Sequence, residues 1–132
     1  MAKNRIFLAD DDRDDWFIIQ EAMQQIDESH RLCFSLSGEE LIRQLEDAYT
    51  EENVPGLIVL DLNMPKMNGT QTLKHVKSDA RFRDIPVIIY STSINPTEKQ
   101  ICLEIGAQDY VIKPLSNDES VEIARSFISL CK

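Results

Sequence analysis

Five polar residues stand where apolar runs stop. Asp10 and Asp11 follow Arg5-Ile6-Phe7-Leu8-Ala9, Asp61 follows Leu57-Ile58-Val59-Leu60, Ser91 follows Val87-Ile88-Ile89-Tyr90, and Lys113 follows Tyr110-Val111-Ile112. Gathered in one cleft, the three carboxylates would repel one another, which either raises their pKa values or demands a cation. A hard divalent ion with oxygen ligands meets that demand, and magnesium suits a site with few protein ligands and several retained waters. A carboxylate can also act as a nucleophile toward a phosphoryl group. A cation, an ammonium and a hydroxyl would then neutralise charge on the phosphoryl oxygens by position and electrostatics.

Such a cleft requires a scaffold that brings all five positions to one edge. Leu57–Leu60 is a continuous apolar run between Pro55-Gly56 and Pro65 with Asn68-Gly69, the pattern of a strand buried on both faces. Arg5–Ala9, Leu32–Leu36, Val87–Tyr90 (opened by Pro86) and Gln108–Ile112 read as four more strands. Helical periodicity separates them. Trp16, Ile19, Met23 and Ile26 mark a first helix, capped by Asp12 with Asp14 and Asp15 in its first turn. Ser37 with Glu40 opens a second, carrying Leu41, Leu45 and Ala48, and Asn68 with Gln71 opens a third, carrying Leu73, Val76 and Ala80. Arg81 to Ile85 reads as a polar turn. Asn95-Pro96-Thr97-Glu98 starts a fourth helix that uses Ile101 and Ile105 and stops at Gly106. Ser116 with Glu119 starts a fifth, with Val121, Ala124, Ile128 and Cys131 on one face. Strands alternating with helices of this length predict one α/β domain over 1–132, a parallel sheet covered on both faces. In such a sheet every strand end reaches the same edge, where ligands bind.

Composition narrows the function classes. The chain has 132 residues and a net charge of −9, from 23 acidic against 14 basic residues. That balance argues against a direct nucleic-acid surface and suits a domain that binds a cation. No apolar run is long enough to span a bilayer and no secretory leader opens the chain, so a cytoplasmic protein without a membrane role is expected. Cys33, Cys102 and Cys131 match no zinc spacing and read as small buried hydrophobes.

These motifs in this order resemble the response regulator receiver domain, over essentially the whole chain. The resemblance is carried by the acidic group after the first strand, Asp61 in Leu-Asp-Leu-Asn-Met-Pro, Asn68-Gly69, Ser91 after Pro-Val-Ile-Ile-Tyr, and Gly106-Ala107 before Tyr110-Val111-Ile112-Lys113-Pro114. It implies a flavodoxin-like fold of five strand–helix units with sheet order 2-1-3-4-5. It implies that Asp61 is the phosphoacceptor, receiving its phosphoryl group from a sensor histidine kinase or a histidine phosphotransfer protein. Magnesium, or manganese in its place, would be held by Asp11 directly, by Asp10 mainly through a water, by Asp61 and by the backbone carbonyl of Asn63. Lys113 would pair with the phosphoryl oxygens, Ser91 would hydrogen-bond them, Tyr110 would change rotamer with Ser91, and Lys113-Pro114 would be a cis peptide. Asn63 and Ser93 occupy the positions that tune hydrolysis of the phosphoaspartate. Ser91 replaces the commoner threonine, Thr92 the commoner small residue, and Tyr90 is bulky for its place.

The same resemblance implies a signalling protein rather than a dedicated enzyme, without an output domain. Its product would be a partner contact through the fourth helix, fifth strand and fifth helix, or a relayed phosphoryl group, in a monomer or a phosphorylation-dependent dimer. The alternative is a receiver-like scaffold that binds partners without phosphorylation, disfavoured because Asp10, Asp11, Asp61, Ser91 and Lys113 are all present. A phosphohydrolase resembling the haloacid dehalogenase family would need a second carboxylate where Asn63 stands. A flavin or dinucleotide binder would need a glycine-rich loop after the first strand. Outside the cleft, Asp14 and Asp15 read as cap and surface charge, and His30 and His75 as surface. Trp16 reads as packed at the start of the first helix, near enough to report metal binding by fluorescence.

Overall fold

The computed structural model describes residues 5–132. Five strands, β1 (Ile6–Ala9), β2 (Leu32–Ser35), β3 (Leu57–Leu60), β4 (Val87–Ser91) and β5 (Asp109–Ile112), alternate with five α-helices. The helices are α1 (Arg13–Gln25), α2 (Gly38–Thr50), α3 (Gly69–Ser78), α4 (Pro96–Ile105) and α5 (Asn117–Leu130). The strands form one parallel sheet in the order β2-β1-β3-β4-β5, as expected. Among the described residues no helix is long and apolar enough to cross a membrane.

The sheet divides the interior in two. Ile6, Leu8, Val59, Ile88 and Tyr90 point to one face, where Ile19, Ala22 and Met23 of α1 and Ala124 and Phe127 of α5 cover them. Phe7, Ile58, Leu60 and Ile89 point to the other, beneath Leu41 and Leu45 of α2, Leu73 and Val76 of α3, and Cys102 of α4. Burying each large side chain contributes roughly 1.5–3 kcal/mol, enough to offset the ordering of short strands.

Side-chain caps set the helix starts. Asp12 accepts from the amide of Asp14, Ser37 from Glu40, Asn95 from Thr97 and Glu98, and Ser116 from Glu119. At α3 the cap is reciprocal, with Asn68 Oδ1 accepting from the Gln71 amide and Gln71 Oε1 from the Asn68 amide, both at 2.9 Å. Gly106, at φ 128°, ends α4 in a conformation that L side chains rarely adopt.

Several details depart from expectation. Helix α3 ends at Ser78, so Ala80 lies beyond it and is exposed. The Arg81–Ile85 segment is not wholly polar in effect, because Phe82 is fully buried in the α2–α3 core. On α4 the inward residue is Cys102, whereas Ile101 faces outward. The Lys113-Pro114 bond is trans, since cis peptides are absent among the described residues. Trans is the intrinsically favoured isomer even before proline, and the Lys113 side chain reaches its partners with the trans bond in place.

Candidate functional site

The sheet ladder continues past the strand ends and sets the site residues in a row. The amide of Asp10 donates to the carbonyl of Ser35, that of Asp61 to Ala9 at 3.0 Å, and that of Lys113 to Ser91 at 2.7 Å. With Ala9 opposite Leu60 and Ser91 opposite Ile112, the residues that follow these strands share the carboxyl edge. The apolar runs therefore act as rails. Four buried aliphatic residues hold β3 in the sheet's interior and leave Asp61 only 4 % exposed at its end.

Three carboxylates converge there. Asp10, Asp11 and Asp61 each offer an oxygen within 4.8 Å of the others, with Asp10 and Asp61 buried and Asp11 exposed. All-oxygen, anionic and partly hydrated donors of this kind fit a hard divalent cation. Burial pushes the Asp10 carboxyl up to about 7, against the opposing pull of the Lys113 hydrogen bond and the Asp12 amide. Asp61 is raised too, first by burial, with the charge of Asp11 adding to it and Lys113 and the Asn63 amide opposing. Such crowding is relieved by positive charge.

Lys113 supplies part of that charge. Its Nζ lies 2.8 Å from Asp10 Oδ2, 2.6 Å from Asp15 Oδ2 and 3.5 Å from Asp61 Oδ1. Burial disfavours its charged form, but the hydrogen bonds to Asp10 and Asp15 prevail and raise its pKa. The ammonium also sits 5.6 Å from the centre of the Tyr90 ring, which packs edge-on against Phe127. Bulky Tyr90 is thus buried beneath the lysine rather than exposed at the cleft.

Asp15 corrects the sequence reading. It is not a free surface charge but a direct partner of Lys113, reached across 98 positions of the chain. Its place in the first turn of α1, soon after the Asp10–Asp12 run, is the one hint the sequence offers. Trp16, next to it, donates from Nε1 to the carbonyl of Asp10 at 2.8 Å and stacks on Phe34. The indole is therefore tied to the acidic loop itself.

The remaining residues surround this cluster. Ser91 is the buried last residue of β4, whereas Thr92, Ser93 and Asn63 are exposed. The Asn63 amide donates to Asp61 Oδ1 at 3.4 Å. Tyr110 is buried, with its hydroxyl donating to the Ser93 carbonyl at 2.9 Å. Gly69 lets α3 begin against the site. A Cβ there would lie 2.4 Å from the carbonyl oxygen of Asp61, and the Gly69 amide donates to Leu62. His30 and His75 are exposed, as expected.

Known proteins share this fold. The family model for the response regulator receiver domain matches residues 6–125. The transcriptional regulatory protein CpxR of Escherichia coli K12 is 30% identical over 125 residues, covering 95% of this chain and 49% of CpxR. The two-component response regulator ORR3 of Oryza sativa subsp. indica is 42% identical over 73 residues, 55% of each chain. The chain thus spans about half the length of these relatives. Among solved structures, the phosphorylated cyanobacterial phytochrome response regulator RcpA superposes with a TM-score of 0.85 at 30% identity, covering 97% of this chain and 93% of RcpA. The Mn(2+)-bound form of response regulator Rcp1 gives 0.79 at 25% identity, covering 96% and 92%. With the family model spanning nearly the whole chain and the strand-end acids, hydroxyl and lysine in their expected order, the chain belongs to the response regulator receiver domain family of two-component systems.

Proposed function

We propose that this domain is a phosphorylation-driven switch in which Asp61 takes a phosphoryl group from the phosphohistidine of a sensor kinase or phosphotransfer protein. One observation carries the reading: a buried carboxylate ends the central strand inside a cluster of two further acids and an ammonium. An Asp61 oxygen attacks phosphorus, the P–N bond breaks, and the donor imidazole keeps the electron pair and takes up a proton. The product is an acyl phosphate. Asp10, Asp11 and Asp61, with the carbonyl of Asn63, would hold magnesium or manganese, which supplies charge neutralisation for the phosphoryl oxygens when bound. Lys113 pairs with the incoming oxygens, and Ser91 supplies a hydroxyl donor from the end of β4. Tyr110 and Ser93 couple that event to the β4–α4 connection, and exposed Asn63 and Ser93 border the approach of water to the acyl phosphate. The output is a changed protein-binding surface or a relayed phosphoryl group in the cytoplasm, not turnover of a free substrate.

The test is phosphorylation with acetyl phosphate, and separately with a phosphorylated histidine phosphotransfer domain, in the presence of magnesium. Intact-mass spectrometry should show one phosphoryl adduct that Asp61→Asn abolishes. An unmodified wild-type chain with both donors, or an adduct that survives Asp61→Asn, would overturn the reading.

A further inference from the structure

Lys113 has two closer partners than the acid it would serve. Its Nζ stands 2.6 Å from Asp15 and 2.8 Å from Asp10, against 3.5 Å from Asp61. An ammonium has three N–H donors and no acceptor, so donors turned to phosphoryl oxygens leave an existing pair. Asp10 belongs to the carboxylate trio whose oxygens face one another, and Asp15 does not. A cation engaging the trio would therefore draw charge from Asp10 while leaving Asp15 with the lysine.

Asp15 is also held in place. It sits in the first turn of α1, between the Asp12 cap and Trp16, whose indole is bonded to the Asp10 carbonyl. Its side chain is 20 % exposed and that of Lys113 9 %, so the pair is less screened than an ion pair in open solvent. A carboxylate fixed at this distance opposes a bound phosphoryl group twice, by occupying the lysine and by repelling the anion.

We propose that Asp15 is a positioning residue that holds Lys113 in the resting domain and competes with the phosphoryl group for it, setting how strongly the site takes up a phosphoryl anion. The inference rests on the reading of Asp61 as phosphoacceptor. Its consequence is a switch with a built-in threshold, in which Lys113 changes partner rather than waiting free.

The test uses beryllofluoride as the phosphoryl mimic, titrated by calorimetry into the full chain at saturating magnesium. Asp15→Asn should bind it about threefold to fivefold more tightly, the scale of one partly shielded ion pair. Asp14→Asn removes the same charge one residue earlier, from an exposed side chain, and should change affinity less than about twofold by the same scale. Asp15→Glu should stay near wild type. Equal gains from Asp14→Asn and Asp15→Asn would reduce the effect to long-range charge and overturn the proposal, as would unchanged or weaker binding in Asp15→Asn. A second readout needs no phosphoryl mimic. Side-chain nitrogen NMR should show the Lys113 ammonium protons exchanging faster with water in Asp15→Asn than in wild type, and an unchanged rate would overturn the resting pair. Wild-type protein that shows the slow ammonium but takes up no beryllofluoride would instead overturn the phosphoacceptor reading, so the two failures are distinguishable.

Discussion

The Tyr110 hydroxyl donates a hydrogen bond to the carbonyl of Ser93, 2.9 Å away, tying the edge strand β5 to the segment that follows Ser91. The ring belongs to the core beneath α2, α3 and α4, so the bond ties the loop to a buried side chain. Any rotation of Tyr110 out of this position breaks its bond to the Ser93 carbonyl.

Tyr110→Phe keeps the ring and deletes the bond. It is expected to cost about 1 kcal/mol, lowering Tm by about 4 °C for a domain of this size. Hydrogen exchange should quicken in the loop from Thr92 to Asn95 while β1 and β3 keep their protection. Uniform loosening of the whole domain would contradict the loop-tether role.

The raised pKa of Asp10 gives a pH dependence with a definite sign. Asp10 is pushed to about 7 in the folded chain, above the ordinary 3.8. Its contribution to stability is therefore full below about pH 4 and is lost as pH rises toward 7, because folding then forces a buried charge. A divalent cation acts in the other direction, since it needs the deprotonated carboxylates. Magnesium should raise Tm little at pH 5.5 and progressively more up to about pH 7.5, measured by thermal melts with and without chelator. A magnesium shift independent of pH would contradict the buried-acid origin. Trp16 fluorescence, through its bond to the Asp10 carbonyl, should follow the same titration.

Gly69 is required by contact rather than by dihedral. An added methyl would meet the Asp61 carbonyl oxygen at 2.4 Å and Leu62 Cα at 2.7 Å, both backbone atoms that cannot swing aside. Gly69→Ala should cost about 1–3 kcal/mol by overpacking and should slow acetyl-phosphate labelling of Asp61 even at temperatures where the fold is intact. Urea melts combined with labelling rates would separate the two effects, and a normal labelling rate would show that the backbone shift spares the carboxylate.

Phe82 carries more of the core than its polar surroundings announce. It is fully buried, with the Tyr49 ring edge-on to it and the Arg81 guanidinium over its face. Phe82→Ala should destabilise by about 3–5 kcal/mol, read from urea unfolding, whereas Ala80→Ser, two residues earlier and exposed, should change little.

What could be read from the residues alone follows from how local each signal is. The strands before Asp10, Asp61, Ser91 and Lys113 are short apolar runs bounded by turn residues, and parallel topology delivers their ends to one edge regardless of sequence distance. Asp15 escaped because its meaning depends on the rotation of α1 and on Lys113, which is remote in sequence and fixed only by packing. Phe82 escaped because a lone aromatic between Arg81 and Arg83 has no periodicity to reveal an inward turn. On α4 the apolar residues Ile101, Cys102 and Ile105 leave the inward face ambiguous, and contact with α3 decides for Cys102, whose Sγ lies 3.9 Å from Thr70 Oγ1. The peptide before Pro114 escaped because both isomers are open to such a bond and only the surrounding structure selects.

The division of the interior by the sheet has a further meaning for anyone altering this molecule. Val59 and Leu60 are neighbours in sequence yet belong to separate cores, one beneath α1 and α5 and the other beneath α2, α3 and α4. Side-chain volumes on one face need not be matched to those on the other, so each can drift or be redesigned alone, with effects that add. The row of acids at the sheet's edge is common to both, which lets either side of the molecule acquire new partners without rebuilding the chemistry between them.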